Sequence, residues 1–398
     1  MTICTLPLSY CTNVHPARTV SDVIQGLNDH SAEARRILDA PMAAGLWLAA
    51  GVVEELTHSP SGLEELAQTL WQNDLCCYTL NTFPFGDFHS DRVKEQVYLP
   101  DWTQRSRISY TEQCATLLAQ LLPEGGEGTL STVPLGGRMN PHGPDFHAVC
   151  QSHLIQLASF LKRLHEQTGR RIRLAIEPEP LCELDSTLET TVPVFRTLFE
   201  MAEARNCLSV VQEYIGLCLD VCHQAVLFED LPGTIDEILE AEIRINKVHI
   251  TNAVELRDPL NNRDGRKALA GFVEPRYLHQ TFARDHHGVI RHRLDLTRED
   301  LERDPPDDFL NSEAWRVHFH VPVFADSLGP LHTTRTSLVA ALHRIAAMQY
   351  APQLEVETYT WPVMPAASEH GNELLGSRIA HELASAYEIL SEADTGQS

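Results

Sequence analysis

Short apolar runs alternate with longer amphipathic segments along the chain, and eight of these runs have the length and residue types of buried strands. The intervening segments are long enough to hold helical crossovers. This order is typical of a parallel sheet whose consecutive strands are joined by helices. The predicted strands are residues 8–14, 76–83, 130–135, 172–178, 216–222, 247–253, 315–324 and 353–361.

Helical periodicity is clearest in three of the intervening segments, residues 147–169, 333–348 and 371–390. In the first of them leucines recur every three or four residues, and Gly169 follows as a stop signal. The long segment 19–72 between the first two predicted strands indicates two or three further helices.

Eight strand–helix units predict an α/β fold, a closed (β/α)8 TIM barrel. The rival architecture is an open doubly wound sheet, whose mark would be a GxGxxG turn after the first strand, and the sequence has none there. We expect residues 1–390 to form a single barrel domain and residues 391–398 to form a flexible tail.

One insertion is visible in residues 254–314, between predicted strands six and seven. Within it, residues 279–296 alternate polar and apolar positions around a turn at 285–288, which predicts a hairpin. A hairpin that follows a barrel strand would lie as a lid over the C-terminal face of the barrel. The alternative is a decoration at the edge with no contact to the site, and the sequence leaves both open.

Composition and charge narrow the range of partners. The 398 residues include 31 Lys and Arg against 55 Asp and Glu, a net charge of −24 that disfavours nucleic acid and anionic membranes. The longest apolar stretch, residues 41–53, is shorter than the about 20 residues that span a bilayer, and the N-terminus does not resemble a signal peptide. Ten cysteines without a CxxC pair are typical of reduced thiols. We expect a cytoplasmic protein that acts on a small polar metabolite and could form a homo-oligomer.

Four predicted strands each carry an ionisable residue among apolar neighbours: Glu177, Asp220, His249 and Glu357. A charge in a buried strand is costly unless it is paired or bound to a metal. Because strand C-termini converge in a barrel, these side chains could meet at one point. Three carboxylates and an imidazole suit a divalent ion, with Mn²⁺ or Mg²⁺ favoured and Zn²⁺ or Fe²⁺ also compatible. The alternative is an internal salt-bridge network, for which few Lys or Arg are nearby.

Other polar residues lie near the predicted strand ends. His15 follows the first strand, where we expect it at the rim of a pocket, although it could instead cap the loop backbone. Asn81 and His89 flank the second predicted strand in a similar way. His318 and His320 alternate on predicted strand seven and therefore share one face. If that face points inward, they add nitrogen ligands or proton carriers; otherwise they pack beneath the insertion.

The segments IEPEP, LDVCH, VHITN and VET occur in this order, one on each predicted strand. Together they resemble the xylose-isomerase-like barrels, a superfamily of sugar isomerases, ketose 3-epimerases, inosose dehydratases and AP-endonuclease-type phosphoesterases. The resemblance, which covers residues 130–390, implies Glu177, Asp220, His249 and Glu357 as metal ligands. It also implies that His223 is a substrate contact or a ligand of a second metal.

A second resemblance spans nearly the whole chain. The segments LSYCTNVHPA, LNTFPFGDFH, VYLPDW, STVPLG, CHQA and HFHVPVF are similar to the EboE group of this superfamily, the metabolite traffic proteins. This resemblance implies the same barrel and a role in making or moving a secondary metabolite, with partners from that pathway. It does not imply a particular reaction.

The leading hypothesis is a metal-dependent isomerase or epimerase that acts on a sugar, a cyclitol or a related polyol. The metal would chelate two adjacent substrate oxygens, and Glu177 and Glu357 would serve as catalytic acid/base groups as in the ketose epimerases. Those epimerases carry an Arg six residues after the strand histidine, where this chain has Glu255. The alternatives are a multi-metal phosphoesterase or hydrolase, which the many histidines favour, and a non-catalytic protein that binds and transfers a metabolite.

Overall fold

Eight parallel strands close into a barrel in the computed structural model of the protein, which describes residues 6–302, 305, 307–365 and 374–395. Neighbours in the chain are neighbours around the ring, and the last strand pairs with both the first and the seventh. The predicted (β/α)8 barrel is therefore confirmed. Its strands are β1 (Leu8–Cys11), β2 (Met42–Trp47), β3 (Thr79–Asn81), β4 (Glu127–Thr132), β5 (Arg171–Ile176), β6 (Ile215–Asp220), β7 (Ile245–Ile250) and β14 (Gln353–Val356).

Helices cover the outside of the barrel and bury one face against the strands. In α6, for example, the periodic leucines are buried, and Gly169 ends the helix in the left-handed conformation at φ 69°. The α-helices of the described residues are α1 (Val20–Gly26), α2 (Ala32–Ile37), α3 (Ala50–His58), α4 (Pro60–Gln72), α5 (Arg105–Leu121), α6 (Phe146–Thr168), α7 (Val192–Ala204), α8 (Leu208–Tyr214), α9 (Val221–Val226), α10 (Leu231–Glu240), α11 (Arg263–Leu269), α12 (Arg298–Glu302), α13 (Asp307–Leu310), α14 (Arg335–Ala346) and α15 (Leu375–Thr395).

The second barrel strand was not among the predicted ones. β2 comes from the apolar stretch 41–53, inside the segment for which only helices were predicted. Its sequence MAAGLW lacks β-branched residues, so local preference does not favour a strand. Burial decides instead, because all six residues are buried between β1 and β3.

The predicted seventh strand does not belong to the barrel. Residues 314–321 form β11 in a second sheet of antiparallel strands, ordered β10-β9-β11-β8-β13-β12. The alternation of His318 and His320 with apolar residues already fits an antiparallel strand better than a buried parallel one. This sheet consists of β8 (Asn252–Arg257), β9 (Thr281–Arg284), β10 (Ile290–Arg293), β11 (Ala314–Val321), β12 (Ser327–Leu328) and β13 (Leu331–Thr333).

The insertion therefore lies between the seventh and eighth barrel strands, not between the sixth and seventh, and its sheet extends to Thr333. The hairpin predicted in residues 279–296 is present as β9–β10, with Ile290 opposite Arg284. Its turn contains Gly288 at φ 83°, and the Asp285 amide donates to the Val289 carbonyl over 2.9 Å.

The C-terminal end of the chain differs from the prediction of a flexible tail over 391–398. Helix α15 continues to Thr395, and residues 396–398 lie outside the described part of the structure. None of the helices in the described ranges is long and apolar enough to cross a membrane.

The carboxylate of Glu382 joins α15 to the barrel. It is fully buried and accepts hydrogen bonds from the Tyr10 hydroxyl (2.7 Å), the Thr358 hydroxyl (2.6 Å), the Trp361 indole (2.8 Å) and the Val323 amide (3.1 Å). One side chain thus connects β1, the residues after β14, and the insertion.

We expect Glu382→Gln to lower the free energy of unfolding by about 2 kcal/mol, because an amide cannot accept from all four donors and leaves buried groups unsatisfied. Urea unfolding followed by circular dichroism measures the change. Glu388→Gln, at an exposed position of the same helix, is the matched control and should change stability by less than about 0.5 kcal/mol. Equal stability of the two variants would contradict the role assigned to Glu382.

Candidate metal centre

The four ionisable residues of the predicted metal site lie together at the C-terminal end of the barrel. Glu177 directly follows β5, Asp220 is the last residue of β6, His249 belongs to β7, and Glu357 directly follows β14. Each offers one ligand atom, and these atoms lie within 4.8 Å of one another. All four residues are at most 4% exposed. The structure thus brings together all four residues that the sequence singled out.

His249 lies at the centre of this cluster. Its Nδ1 is 3.2 Å from Glu177 Oε1, 3.2 Å from Glu357 Oε2 and 3.6 Å from Asp220 Oδ2. Burial disfavours an imidazolium, but Cys218 and the surrounding carboxylates outweigh it and raise the pKa of His249 well above its usual value. The same negative potential that would hold a proton on Nδ1 would attract a divalent cation.

The cluster does not form a closed salt-bridge network. Glu177 Oε2 and Asp220 Oδ2 are buried without a hydrogen-bond partner. Within the described part of the chain, Glu177, Asp220 and Glu357 form ion pairs with histidines and with no Lys or Arg. Buried carboxylate oxygens without a hydrogen-bond donor are costly, and metal coordination is the usual way of stabilising them. Three carboxylates and one imidazole fit a divalent ion such as Mn²⁺ or Mg²⁺, and they also accommodate Zn²⁺.

A buried Lys–Glu pair supports His249 from inside the barrel. Glu355 Oε2 is 3.1 Å from His249 Nε2 and 2.5 Å from Lys247 Nζ, and Lys247 also donates to the Ser131 hydroxyl over 3.1 Å. A carboxylate that accepts from Nε2–H leaves Nδ1 free to face a metal, which is how metal-bound histidines are commonly oriented. Although burial alone would raise it, the ammonium of Lys247 lowers the pKa of Glu355.

Gly45 of β2 makes room for this arrangement. A Cβ at residue 45 would lie 1.4 Å from Glu355 Oε1, so any larger residue would displace the carboxylate. Lys247, Glu355 and Gly45 are not among the site residues predicted from the sequence. The strand period of two could have identified two of them, because it places Lys247 on the same face as His249 and Glu355 on the same face as Glu357.

Three further histidines converge next to the four-residue cluster. The Nε2 atoms of His223 and His318 are 3.1 Å apart, and those of His318 and His320 are 3.3 Å apart. Asp220 Oδ2 lies 3.8 Å from His223 Nε2 and 3.9 Å from His320 Nε2. The carboxylate of Asp220 therefore lies between the two groups.

The other nitrogen of each of these histidines faces an acceptor. His223 Nδ1 lies 2.9 Å from the Pro178 carbonyl. His318 Nδ1 lies 2.5 Å from Gln280 Oε1, and His320 Nδ1 lies 2.8 Å from the Glu357 carbonyl. A neutral imidazole carries one proton. If that proton is on Nδ1 and is donated to this acceptor, the Nε2 of the same ring is unprotonated. When all three rings are neutral, their converging Nε2 lone pairs cannot hydrogen-bond to one another, and they offer nitrogen donors of the kind that metals bind.

The remaining predicted site residues are divided between the cavity and its surroundings. The predicted residue Asn81 lines the cavity together with Asn13, and each amide donates to Glu357 Oε1 over 2.8 Å and so fixes that carboxylate. His89 does not line the cavity, but its Nε2 is 2.8 Å from the Asn13 carbonyl and supports the loop. The predicted rim position of His15 is wrong. Its ring lies beneath α1, with neither nitrogen hydrogen-bonded, where the absence of a Cβ on Gly26 leaves space for it.

A cavity opens above the cluster, and the insertion contributes to its wall. Glu179 faces this cavity and accepts from the Tyr98 hydroxyl (2.6 Å) and from Gln280 Nε2 (3.2 Å), and burial raises its pKa. Residues 281–293 of the predicted hairpin do not line the cavity. The lining consists of Asn13, Asn81, Phe83, Pro84, Phe88, Val93, Lys94, Val97, Tyr98, Glu177, Glu179, Tyr277, Leu278, His223, His318, His320, Glu357 and Tyr359.

The insertion also meets a loop of the barrel at the mouth of the cavity. The amides of Val93 and Lys94 both donate to the Arg276 carbonyl over 2.9 Å.

Glu255, at the position where ketose epimerases have an arginine, instead pairs with Arg316 at 2.7 Å and Arg257 at 2.5 Å in the second sheet. It therefore takes no part in the cavity.

Comparisons with known proteins give similarity at the level of whole structures. No protein-family model matches the chain, and no curated protein matches it. A D-allulose 3-epimerase from Methylomonas sp. is 12% identical over 98% of both chains, with a TM-score of 0.49. A D-psicose 3-epimerase solved in the presence of D-fructose is 13% identical over 97% of this chain and 99% of that chain, with a TM-score of 0.48. The IolI protein with a bound zinc atom is 12% identical over 98% of this chain and 99% of that chain, with a TM-score of 0.45.

We expect the protein freed of metal by a chelator to bind Mn²⁺ in isothermal titration calorimetry, and Asp220→Asn to weaken that binding by at least about 100-fold. Loss of an outer-sphere partner alone costs about 10- to 100-fold in affinity, and Asp220 would contact the ion directly. The control is Asp236→Asn, which removes an exposed carboxylate paired with Arg344 and should bind normally. If the native protein takes up neither Mn²⁺ nor Zn²⁺, the cluster is purely structural.

Proposed function

We propose that the protein is a divalent-metal-dependent isomerase or epimerase of the xylose-isomerase-like type, acting on a sugar, a cyclitol or a related polyol. The observation that carries this proposal is the cluster of Glu177, Asp220, His249 and Glu357, with unsatisfied carboxylate oxygens at the C-terminal end of the barrel. Active sites of (β/α)8 enzymes lie at this end. The cluster adjoins a cavity of which Glu177 and Glu357 form part of the wall.

A bound divalent ion would supply Lewis acidity to a substrate that offers it two adjacent oxygens. The chain's own residues then account for the movement of a proton. Glu177 and Glu357 are the carboxylates that both reach the centre and border the cavity, so they are the groups placed to remove and return a carbon-bound proton. Asn13 and Asn81 hold Glu357 in position through Oε1, which keeps its Oε2 directed towards His249.

Burial of the centre supports chemistry of this kind. The four central residues are at most 4% exposed, and the loop at residues 93–94 is hydrogen-bonded to Arg276 of the insertion beside the cavity. Limited access of bulk water strengthens the electrostatic interactions within such a site.

The resemblance to the EboE group supports a narrower form of the proposal, in which the substrate belongs to a pathway that makes or moves a secondary metabolite. We also propose the cytoplasm as the compartment. The nine cysteines of the described residues are unpaired, which suits a reducing environment.

We expect the Mn²⁺-loaded protein to exchange a carbon-bound proton of at least one ketose or inosose with D₂O, as followed by proton NMR. Glu177→Gln and Glu357→Gln should each slow this exchange at least about 100-fold, the usual contribution of a positioned acid or base. Asp236→Asn serves again as the control with normal exchange. A protein that binds metal and shows no exchange with any candidate would favour the alternative of metabolite binding and transfer.

A multi-metal hydrolase is the second candidate, and the convergence of His223, His318 and His320 favours it. Asp220, His223 and His320 offer ligand atoms within 4.8 Å of one another, a second donor set that shares the Asp220 carboxylate with the first. His318 Nε2 adjoins this set, 3.1 Å from His223 Nε2 and 3.3 Å from His320 Nε2. Two ions about 3.5–4 Å apart and bridged by a carboxylate are typical of phosphatases and nucleases.

If this second donor set binds metal, elemental mass spectrometry should find two ions per native chain and one ion in the His318→Ala variant. His332→Ala, at an exposed position of the second sheet, is the matched control and should keep both ions. Hydrolysis of bis(p-nitrophenyl) phosphate by the native chain, lost in His318→Ala, would favour the hydrolase. A single ion in the native chain would eliminate it.

A further inference from the structure

The cavity has two chemically different parts. Its floor is the polar cluster described above, and its wall is largely aromatic. Five aromatic side chains contribute to the wall, and all of them are less than 10% exposed: Phe83, Phe88, Tyr98, Tyr277 and Tyr359. A substrate that reaches the floor therefore has its opposite end against aromatic rings.

Three of these rings form a compact group over the centre. The ring centroids of Phe88 and Tyr277 are 4.9 Å apart, those of Tyr277 and Tyr359 are 4.9 Å apart, and those of Phe88 and Tyr359 are 5.2 Å apart. Tyr359 also lies 4.6 Å from the ring of His320, which joins the aromatic group to the floor. A ligand that spans both parts would thus pass directly from polar donors to ring surface.

The polar ends of two wall tyrosines are already engaged. The Tyr277 hydroxyl donates to the Phe88 carbonyl over 3.3 Å, and the Tyr98 hydroxyl donates to Glu179 over 2.6 Å. These residues therefore offer carbon surface to the cavity. Val93, Val97 and Leu278 extend the same apolar surface. Such a wall binds by dispersion and desolvation.

The charges around the cavity disfavour an anionic substrate. Glu177, Glu179 and Glu357 border it, and Asp220 lies directly behind. Among the described lining residues, Lys94 is the only Lys or Arg, and its ammonium pairs with Asp295. One divalent ion would leave these carboxylates in excess, so a phosphate group would meet net repulsion.

We propose that the substrate is an uncharged polyol that carries an aromatic or bulky apolar substituent, and that it is not a sugar phosphate. The inference rests on the proposed function, in which the hydroxylated end of the substrate occupies the metal centre. It adds that the other end packs against Phe88, Tyr277 and Tyr359. The competing explanation is that these rings serve only to pack the insertion onto the barrel.

Three hydroxamates separate these explanations, because each chelates a divalent ion through the same two adjacent oxygens. They are acetohydroxamate, benzohydroxamate and phosphonoacetohydroxamate, which differ only in a methyl, phenyl or phosphonomethyl substituent. Isothermal titration calorimetry on the Mn²⁺-loaded full chain gives their dissociation constants, corrected for their affinity for free Mn²⁺. We expect benzohydroxamate to bind about tenfold more tightly than acetohydroxamate, and phosphonoacetohydroxamate about tenfold more weakly.

Variants locate the source of the phenyl preference. Tyr277→Ala and the milder Phe88→Leu should reduce it below threefold while leaving the affinity for acetohydroxamate unchanged. Trp71→Ala, which removes an aromatic side chain that is 79% exposed and does not line the cavity, should retain the full preference.

The outcomes distinguish this inference from the proposed function. If acetohydroxamate binds but the phenyl group adds less than threefold, or the phosphonate binds most tightly, the substrate class is overturned and the metal centre stands. If the chain binds Mn²⁺ but none of the hydroxamates, the centre is closed to chelating ligands and both are overturned. Failure to bind either Mn²⁺ or Zn²⁺ likewise overturns both.

Discussion

The compensation of buried negative charge around His249 is the constraint on which the rest of the structure depends. Three carboxylates meet one imidazole at the C-terminal end of the barrel, and a fourth carboxylate, Glu355, lies beneath it. Among the described residues, Glu355 is the one carboxylate of the four that pairs with a Lys or Arg, the completely buried Lys247. The three carboxylates above it pair with histidines alone, so negative charge is in excess at the C-terminal end. That asymmetry gives the site its chemistry.

The insertion completes the site in two ways. Its strand β11 supplies His318 and His320, which face His223 from the barrel. The segment before β9 supplies Tyr277 and Leu278, which line the cavity, and Gln280, whose Oε1 lies 2.5 Å from His318 Nδ1 and orients that ring. A decoration of the barrel edge would do neither. The second sheet therefore contributes side chains to the candidate site, although it lies outside the barrel that carries the four central residues.

Sequence reasoning reached the barrel and the four central residues because strand ends carry a local signal, a single charge among apolar neighbours. It missed β2, which contains no β-branched residue and is held by burial between its neighbours. It placed His318 and His320 on a barrel strand, since the position of an antiparallel sheet relative to the barrel has no local signature. The failure at His15 has the same origin, because the space that accommodates its ring is created by Gly26 in a separate helix. Local patterns thus identified side chains, and tertiary packing decided which of them meet.

The hydrogen bonds to Glu357 have a consequence for the order in which the protein can mature. Its partners Asn13 and Asn81 precede it by 344 and 276 residues, so the carboxylate acquires them only when β14 joins β1 and the ring closes. Contacts of such long separation form late in folding. During synthesis β14 must therefore leave the ribosome before the four proposed ligands can surround an ion. Uptake of the proposed metal would in this sense be a checkpoint for a finished barrel, which a chain truncated before its last strand could not pass.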